Sequence, residues 1–395
     1  MESTAEQHFE LGTAAYDSGD IEAALGHWES ALLLDPTFVE AWFSKGIALG
    51  RLGRWEAALE CLEKALKLDD LHTGSWTFKG IVLDKLGRPD EALRAFDASL
   101  KLEPASFDAL VGKGLLLGEL GRDAEAVPVF ARALDISPLD DETWFNKGVS
   151  HLRLGEREPA LKCFESAASI NKDFGPAWYN IGILRWELGR PGEALECFDR
   201  AIALDPGSSE AMVRKGAALE ELGREQEALK SFEAAIAADP ENARAWNNKG
   251  SLIWDMGRRD EAMACFDRAL ELEPRLSKGW YNRGNALART GRNESAIECF
   301  GRALELDPRD ELSWFSRGVS LSELGRLEEA VRAFDEAIAI DERYTDAWHF
   351  KGLSLTDLYR PFEAMRCLDK ALELDPGNAD IREARQALFE QLQGQ

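Results

Sequence analysis

Cysteine and histidine are the residue types in this chain best suited to metal binding, redox chemistry or nucleophilic catalysis. The 395 residues include six cysteines and five histidines. Successive cysteines are separated by multiples of 34 residues, and no Cys-x-x-Cys or zinc-type cysteine–histidine spacing occurs. The histidines share no common spacing, and no glycine-rich phosphate loop is present. We therefore expect no catalytic residue, no metal site and no cofactor. The cysteines are Cys61, Cys163, Cys197, Cys265, Cys299 and Cys367.

The balance of acidic and basic residues argues against nucleic-acid binding. Acidic residues number 72 against 47 basic ones, which gives a formal charge of -25 at pH 7. Nucleic-acid binding draws most of its free energy from Lys and Arg that displace counterions, so we expect no nucleic-acid partner.

Residues 1–8 contain no basic segment followed by an apolar core, and no run of 18 apolar residues occurs. This predicts no signal peptide, no membrane span and a cytoplasmic location.

A glycine recurs every 34 residues along nearly the whole chain, without insertions. With this glycine at position 8, eleven repeats of 34 residues run from residue 5 to residue 378. Residues 1–4 form a short extension before them, and residues 379–395 follow. Tryptophan fills position 4 and proline position 32 in eight repeats each, alanine fills position 20 in all, and nine have an aromatic residue at position 24. The glycines are Gly12, Gly46, Gly80, Gly114, Gly148, Gly182, Gly216, Gly250, Gly284, Gly318 and Gly352.

This pattern resembles the tetratricopeptide repeat, and the regular Lys-Gly at positions 7 and 8 is similar to long archaeal and bacterial members. The resemblance implies an all-α fold, a right-handed superhelical solenoid of helix-turn-helix repeats. The residues predict the same pairs, because apolar positions 4, 8 and 11 lie on one face of a first helix and positions 20, 24, 27 and 28 on one face of a second. Glycine at position 15 suits the left-handed residue between them, although Tyr359 replaces it in the last repeat. Residues 379–395 predict a C-terminal capping helix.

Position 7 is basic in nine repeats, which is unusual for a position on the packed side of the first helix. Snorkelling of the long side chains is the simplest interpretation. Ten residues upstream, at position 31 of the preceding repeat, an acid precedes the base at eight junctions. Where the base is lost, at Ile181, the acid is also lost, at Asn171. Our hypothesis is an ion pair between positions 31 and 7.

Repeat 4 departs most from the pattern. It has Leu110 in place of tryptophan, extra glycines at Gly112 and Gly118, and Pro128 within its second helix. Because a proline inside a helix removes a hydrogen bond and favours a kink, we expect repeat 4 to be the most flexible part of the array.

A candidate ligand site follows from positions 2, 5, 6, 9, 12 and 13, which point away from the packed face. In the tetratricopeptide family this face lines a concave groove. Asparagine at position 6 of four repeats resembles the asparagine ladder of the tetratricopeptide arm of O-linked N-acetylglucosamine transferase, which implies amides that hold a peptide backbone. Alternatively, asparagine is simply common at this position in the family. The Lys and Asn pair of the chaperone-binding members is absent from every repeat.

Neighbouring cations and aromatic residues strengthen the ladder interpretation. Position 2 is acidic in most repeats but basic in repeats 8 and 9, which predicts a locally positive groove there. Aromatic residues at positions 5 and 12, expected to be exposed, would add contact area for a ligand. The predicted ligand-binding residues are Asn146, Tyr179, Asn180, Trp186, Arg214, Arg244, Asn248, Trp254, Lys278, Tyr281, Asn282 and Asn285.

These observations predict a non-enzymatic scaffold that binds an extended peptide or a partner protein in the groove of repeats 5–9. One alternative is self-assembly through the ends or the convex face of the solenoid. Another is a regulatory or substrate-recruiting arm for an enzyme on another chain. The partner itself cannot be identified from these residues.

The six cysteines all fall at position 23 of their repeats, which predicts small buried residues with reduced thiols. Equivalent residues lie at least one repeat apart with another helix between them, at ~8–10 Å per packing step, whereas a disulfide needs Cα atoms within ~7 Å. A thiol reagent should react slowly with the native chain and roughly tenfold faster, or more, in denaturant. An intramolecular disulfide found by mass spectrometry of a non-reduced digest would contradict the stacked-helix arrangement.

Overall fold

The computed structural model describes residues 4–393, which form 23 α-helices and no β-strand. The chain divides into an N-terminal unit, Met1–Leu184, and a C-terminal unit, Arg185–Gln395. The helices are α1 Ala5–Asp17, α2 Ile21–Leu34, α3 Val39–Arg51, α4 Trp55–Leu68, α5 Thr73–Lys85, α6 Pro89–Leu102, α7 Phe107–Glu119, α8 Asp123–Ile136, α9 Asp141–Arg153, α10 Arg157–Ile170, α11 Gly175–Glu187, α12 Pro191–Leu204, α13 Ser209–Glu221, α14 Glu225–Ala238, α15 Ala243–Asp255, α16 Arg259–Leu272, α17 Ser277–Arg289, α18 Asn293–Leu306, α19 Glu311–Glu323, α20 Leu327–Ile340, α21 Thr345–Asp357, α22 Pro361–Leu374 and α23 Ala379–Gln393.

Each 34-residue repeat forms one pair of helices, as the sequence predicts. The first helix of a repeat occupies positions 1–13 and the second occupies positions 17–30. Within each unit the second helix of a repeat packs against the first helix of the next, and successive first helices also touch, for example α3 with α5 and α15 with α17. The all-α solenoid of helix pairs is therefore confirmed. The last helix, α23, buries Ile381 and Leu388 beside Leu368 of α22.

The glycine at position 8 lets the two helices of a repeat approach closely. The phenylalanines at position 24 in repeats 3–10 are almost fully buried, and in repeats 3–5 and 7–10 the ring lies against the glycine of its own repeat. A Cβ atom at Gly216 would lie only 2.4 Å from the ring of Phe232. In repeat 2 leucine replaces the ring, and a Cβ at Gly46 would lie 3.2 Å from Leu62. Glycine is therefore required because a ring fills the space where a side chain would project.

The turns between paired helices use a left-handed residue at position 15. Ten of these residues are glycines with φ between 68° and 88°. The eleventh is Tyr359, with φ 55°, and it is the only non-glycine residue with positive φ in the part of the chain that the structure describes. Its side chain is 87% exposed, so no packing offsets the strained backbone.

A tryptophan hydrogen bond is the first of three sets of contacts at the junctions between repeats. The indole of every position-4 tryptophan donates to the carbonyl oxygen at position 32 of the preceding repeat, at 2.8 to 3.1 Å. In repeat 4, where leucine replaces tryptophan, Arg132 Nη2 donates to the Pro104 carbonyl oxygen at 2.9 Å instead.

Helix α8 runs without a break from Asp123 to Ile136 through Pro128, and the expected flexibility of repeat 4 remains a prediction.

The predicted ion pair between positions 31 and 7 is wrong. Seven of the nine basic residues at position 7 contact an acid sixteen residues upstream, at position 25, as in Lys45–Glu29 at 2.8 Å and Lys249–Glu233 at 3.0 Å. The aspartates at position 31 instead accept the backbone N–H two residues later, as Asp35 does from Thr37. The position-31 carboxylate therefore shapes the turn between repeats. The lysine stems are largely covered, with Lys45 only 18% exposed, which agrees with snorkelling.

All six cysteines are buried, and no disulfide joins any of them within the described residues. Burial raises the pKa of the thiols of Cys61, Cys163, Cys265, Cys299 and Cys367. A higher pKa lowers the thiolate fraction at neutral pH, so burial and protonation both slow reaction with a thiol reagent.

Replacing Tyr359 by glycine should stabilise the last repeat. The left-handed backbone costs a tyrosine ~1–2 kcal/mol, and the greater chain entropy of an unfolded glycine offsets about half of the gain. The net increase in unfolding free energy should be about 0.5–1 kcal/mol. Urea unfolding combined with local hydrogen exchange in α21 and α22 measures the change.

The matched control is the same position of repeat 10. Gly325, at φ 71°, should tolerate tyrosine poorly, so Gly325→Tyr should lower the stability of repeat 10 by a similar amount. A Tyr359→Gly variant that is no more stable than the parent would show that the backbone at residue 359 is not strained.

Candidate functional site

The first helices of repeats 7–10 form a surface with two adjoining cavities in the C-terminal unit. The larger, of ≈ 540 Å³, is lined by Asn248, Lys278, Tyr281 and Asn282 together with residues of α13 and α19. The smaller, of ≈ 370 Å³, is lined by Trp254, Asn282 and Asn285. Six of the twelve residues predicted from the sequence therefore line these cavities, and Ser251 and Asn282 line both.

Amide groups are linked to one another at the floor of the larger cavity. Asn282 Nδ2 donates to Asn247 Oδ1 at 3.1 Å, and Asn247 Nδ2 donates to Asn248 Oδ1 at 3.3 Å. Within residues 4–393, neither Asn248 Nδ2 nor Asn282 Oδ1 has a hydrogen-bond partner. One free donor and one free acceptor therefore remain beside the cavity. That pair is complementary to the C=O and N–H of a peptide unit.

Asn247 is the residue of this group that sequence reasoning missed. It occupies position 5 of repeat 8, where neighbouring repeats carry Val213 and Tyr281, and it is only 5% exposed. A buried asparagine among apolar equivalents is a signal that could have revealed it. Its amide holds the two ladder asparagines at fixed orientations, because it bonds to both of them.

The locally positive groove predicted for repeats 8 and 9 is not found at the larger cavity. Lys278 lines it together with the carboxylates of Glu220, Asp307 and Asp310. Arg214 and Arg244 line neither cavity, and both contact Glu210, at 3.1 and 3.8 Å. The acidic neighbours of these cations offset much of their charge.

The four aromatic residues expected to be exposed are all partly buried. Tyr281 lies 6.1 Å from Phe300, measured between ring centroids, because position 5 faces the ring at position 24. Trp186 Nε1 donates to Glu221, and the ring of Trp254 lies 5.8 Å from the Arg259 guanidinium. Tyr179 is also only partly exposed. These rings therefore contribute walls to the surface rather than projecting from it.

Three predicted residues lie in the N-terminal unit, where they line neither cavity. Asn180 Nδ2 donates to the carbonyl oxygen of Pro176 at 2.9 Å, which uses one of its donors within its own helix. Asn146 and Tyr179 lie on the first helices of repeats 5 and 6. The linked amides of repeats 8 and 9 thus lie in the C-terminal unit, whereas Asn146 and Asn180 belong to the N-terminal unit.

A third cavity, which sequence reasoning missed entirely, lies in the N-terminal unit. It has a volume of ≈ 750 Å³ and is formed by the first helices of repeats 2–4, α3, α5 and α7. The signal was present in the sequence. Positions 5, 6 and 9 are mostly apolar in these repeats, whereas repeats 8 and 9 carry mostly amides there.

Comparisons with known proteins show the family. A tetratricopeptide repeat profile matches residues 9–72, 79–141, 145–209, 179–243, 213–277, 247–298 and 281–347, and a second tetratricopeptide repeat profile matches residues 345–378. The chain belongs to the tetratricopeptide repeat family. A comparison with curated proteins gave no match.

Solved structures agree with this fold. The chain is similar to the APC/C hetero-tetramer Cut9–Hcn1, with a TM-score of 0.53 and 14% identity, over 98% of this chain and 90% of that one. It is also similar to PilF of Pseudomonas aeruginosa, with a TM-score of 0.50 and 19% identity, over 54% of this chain and 97% of that one. At these identities the likeness establishes the fold alone.

Residues 4–393 contain neither a cluster of metal-ligating side chains nor a membrane-spanning helix. No group of three or more His, Cys, Asp and Glu side chains is arranged to hold a metal ion. None of the helices combines the length and apolar character needed to span a bilayer.

Glu220, at the larger cavity, should make stability depend on pH. Burial, followed by the charges of Asp255 and Glu225, raises the pKa of this carboxyl group. Since its pKa is higher in the native than in the unfolded chain, ionisation destabilises the native state, and stability falls as the pH rises through the native pKa. Glu220→Gln removes this penalty and should be more stable than the parent near pH 8. The advantage should shrink toward about pH 4, where carboxyl groups protonate.

Urea unfolding at several pH values, followed by tryptophan fluorescence, measures this difference. The control is Glu323→Gln, which changes an exposed carboxylate in repeat 10 and should show no such trend. A gain in Glu220→Gln that does not depend on pH would contradict the electrostatic explanation.

Proposed function

We propose that this protein binds an extended peptide segment of a partner protein along the first helices of repeats 7–9. The repeats make the chain a protein–protein interaction scaffold, and proteins of this family are generally non-catalytic. The observation that supports the peptide is the linked amide group of Asn247, Asn248 and Asn282, with its free donor and acceptor beside a ≈ 540 Å³ cavity. An extended peptide offers the matching C=O and N–H at every residue.

The remaining side chains suggest how the segment is held. Tyr281 and Trp254 provide partly buried apolar walls on either side of Asn282. Lys278 lies opposite Glu220, Asp307 and Asp310, so the cavity favours a segment that carries basic as well as acidic groups. Arg214 and Arg244 retain the Glu210 contact and are expected to affect the association rate more than the affinity. Asn146, Tyr179, Asn180, Trp186 and Asn285 remain proposed contacts for a longer segment.

Replacing both ladder asparagines by alanine should weaken binding to every peptide that uses this site. A 12-residue random peptide library displayed on phage and selected on the full chain provides the probes. For the selected peptides, Asn248→Ala with Asn282→Ala should raise the Kd about tenfold, since each lost hydrogen bond contributes ~0.5–1.5 kcal/mol. The salt dependence should stay nearly unchanged, because neutral groups are removed. Fluorescence anisotropy measures both quantities.

The matched control changes the same repeat position outside the cavity. Ser44→Ala with Ser316→Ala alters position 6 of repeats 2 and 10 and should leave the affinity for these peptides unchanged. Lys278→Glu should weaken acidic peptides selectively, with an effect that fades as salt rises. If the asparagine double variant and Lys278→Glu both bind every selected peptide like the parent, the groove of repeats 7–9 is not the site.

A further inference from the structure

The cavity in the N-terminal unit has a chemical character opposite to that of the amide site. Its walls come from three successive first helices, α3, α5 and α7. Positions 5, 6 and 9 supply most of its apolar surface, through Phe43, Ile47, Phe78, Ile81, Val111 and Leu115. At the same positions of repeat 8 the residues are Asn247, Asn248 and Ser251. The same helix face is therefore apolar in repeats 2–4 and polar in repeat 8.

Gly112 gives this cavity its depth. It occupies position 6 of repeat 4, and no other repeat has glycine at that position. A Cβ atom on residue 112 would lie 2.8 Å from both Cε1 and Cζ of Phe96. The edge of the Phe96 ring, which is only 1% exposed, therefore forms the floor beneath Gly112. Any side chain at residue 112 would fill this space or displace the ring.

An exposed apolar side chain stands at the mouth of the cavity. Leu115 is 40% exposed, although it lies one helical turn from Val111 and beside the buried Leu116. Removing apolar surface from contact with water is favourable. A bulky apolar group that covered this surface would therefore be stabilised in the cavity. The volume of ≈ 750 Å³ exceeds that of one side chain and matches a short segment with two of them.

Acidic residues surround the cavity. Asp84, Glu103, Asp108 and Glu119 line it, and Lys85 is the only basic residue that does so. Lys85 Nζ lies 3.6 Å from Asp84, so these two charges offset each other. Glu103, Asp108 and Glu119 form no ion pair with any residue between 4 and 393. Three uncompensated carboxylates repel anionic ligands and attract cationic ones.

We infer that repeats 2–4 form a second binding site, for a peptide segment in which two bulky apolar side chains are flanked by Lys or Arg. The apolar side chains occupy the cavity above Phe96 and beside Leu115, and the flanking cations pair with Glu103, Asp108 and Glu119. A segment spanning three repeats suits this surface better than a compact molecule, because the lining residues are spread over three consecutive helices. The inference does not rest on the function proposed for repeats 7–9, since no lining residue lies there.

The test uses the full chain and a set of synthetic 10-residue peptides. Each peptide has Phe, Leu, Trp or Met at two central positions and two lysines on each side. Two control peptides replace the central pair by alanine or the lysines by glutamate. At least one lysine peptide should bind the parent at least tenfold more tightly than either control. If no lysine peptide binds more tightly than both controls, the inference is overturned.

Two variants then locate the site. Ile81→Asn with Leu115→Asn places a polar residue, of the kind found at Asn285, at position 9 of repeats 3 and 4. Binding of the lysine peptides should fall at least tenfold. Glu103→Lys with Asp108→Lys and Glu119→Lys changes only the rim, and it should exchange the preference from lysine to glutamate peptides. If the asparagine variant fails to fold by circular dichroism, the rim variant alone decides.

Controls separate this site from the amide site. Val319→Asn, at position 9 of repeat 10, should bind the lysine peptides like the parent. Asn248→Ala with Asn282→Ala should also leave their binding unchanged. If the rim variant retains the lysine preference, or if the Asn248 and Asn282 changes abolish binding instead, the cavity of repeats 2–4 is not the site.

Discussion

The contact between the glycine at position 8 and the ring at position 24 is the constraint on which the rest of each repeat depends. A Cβ atom at Gly114, Gly216 or Gly318 would lie no more than 2.5 Å from the facing phenylalanine. The two helices can keep their present separation only because that side chain is missing. The same close approach buries the ring and the alanine at position 20. Positions 5, 6 and 9 carry different residue types from repeat to repeat, while the glycine at position 8 is present in every one.

At the junctions between repeats, different repeat positions make different contacts. Tryptophan at position 4 donates to a carbonyl oxygen of the preceding repeat, and aspartate at position 31 accepts a backbone N–H in the turn. Seven of the nine bases at position 7 contact an acid at position 25. Repeat 4 shows how one of these parts is replaced, since Arg132 takes over the carbonyl that a tryptophan would bind. The departure of repeat 4 from the pattern therefore leaves the junction hydrogen-bonded. It also introduces Gly112 at the cavity floor.

One scaffold consequently carries two surfaces of different chemistry. In repeats 2–4 the first helices present apolar side chains around a cavity with an acidic rim, while repeats 8 and 9 present linked amides. Both surfaces lie at the same repeat positions, and they differ in the side chains that those positions carry. This is how an array with a constant interior can recognise more than one kind of segment.

The sequence by itself determined the helices, their ends, the register of eleven repeats and the burial of the cysteines. These follow from local periodicity, because the spacing of apolar residues, glycines and prolines assigns each residue to a face of its own helix. Only the tertiary structure decided which side chains meet across helices. For seven of the nine bases at position 7, an acid stands both ten and sixteen residues upstream, and the packing of neighbouring helices selects the second. In the same way, Glu210 beside Arg244, Asn247 beside Asn282, and Phe96 beneath Gly112 are contacts between different helices. Helix separation and side-chain rotamers set such contacts, and neither can be read from spacing along one chain.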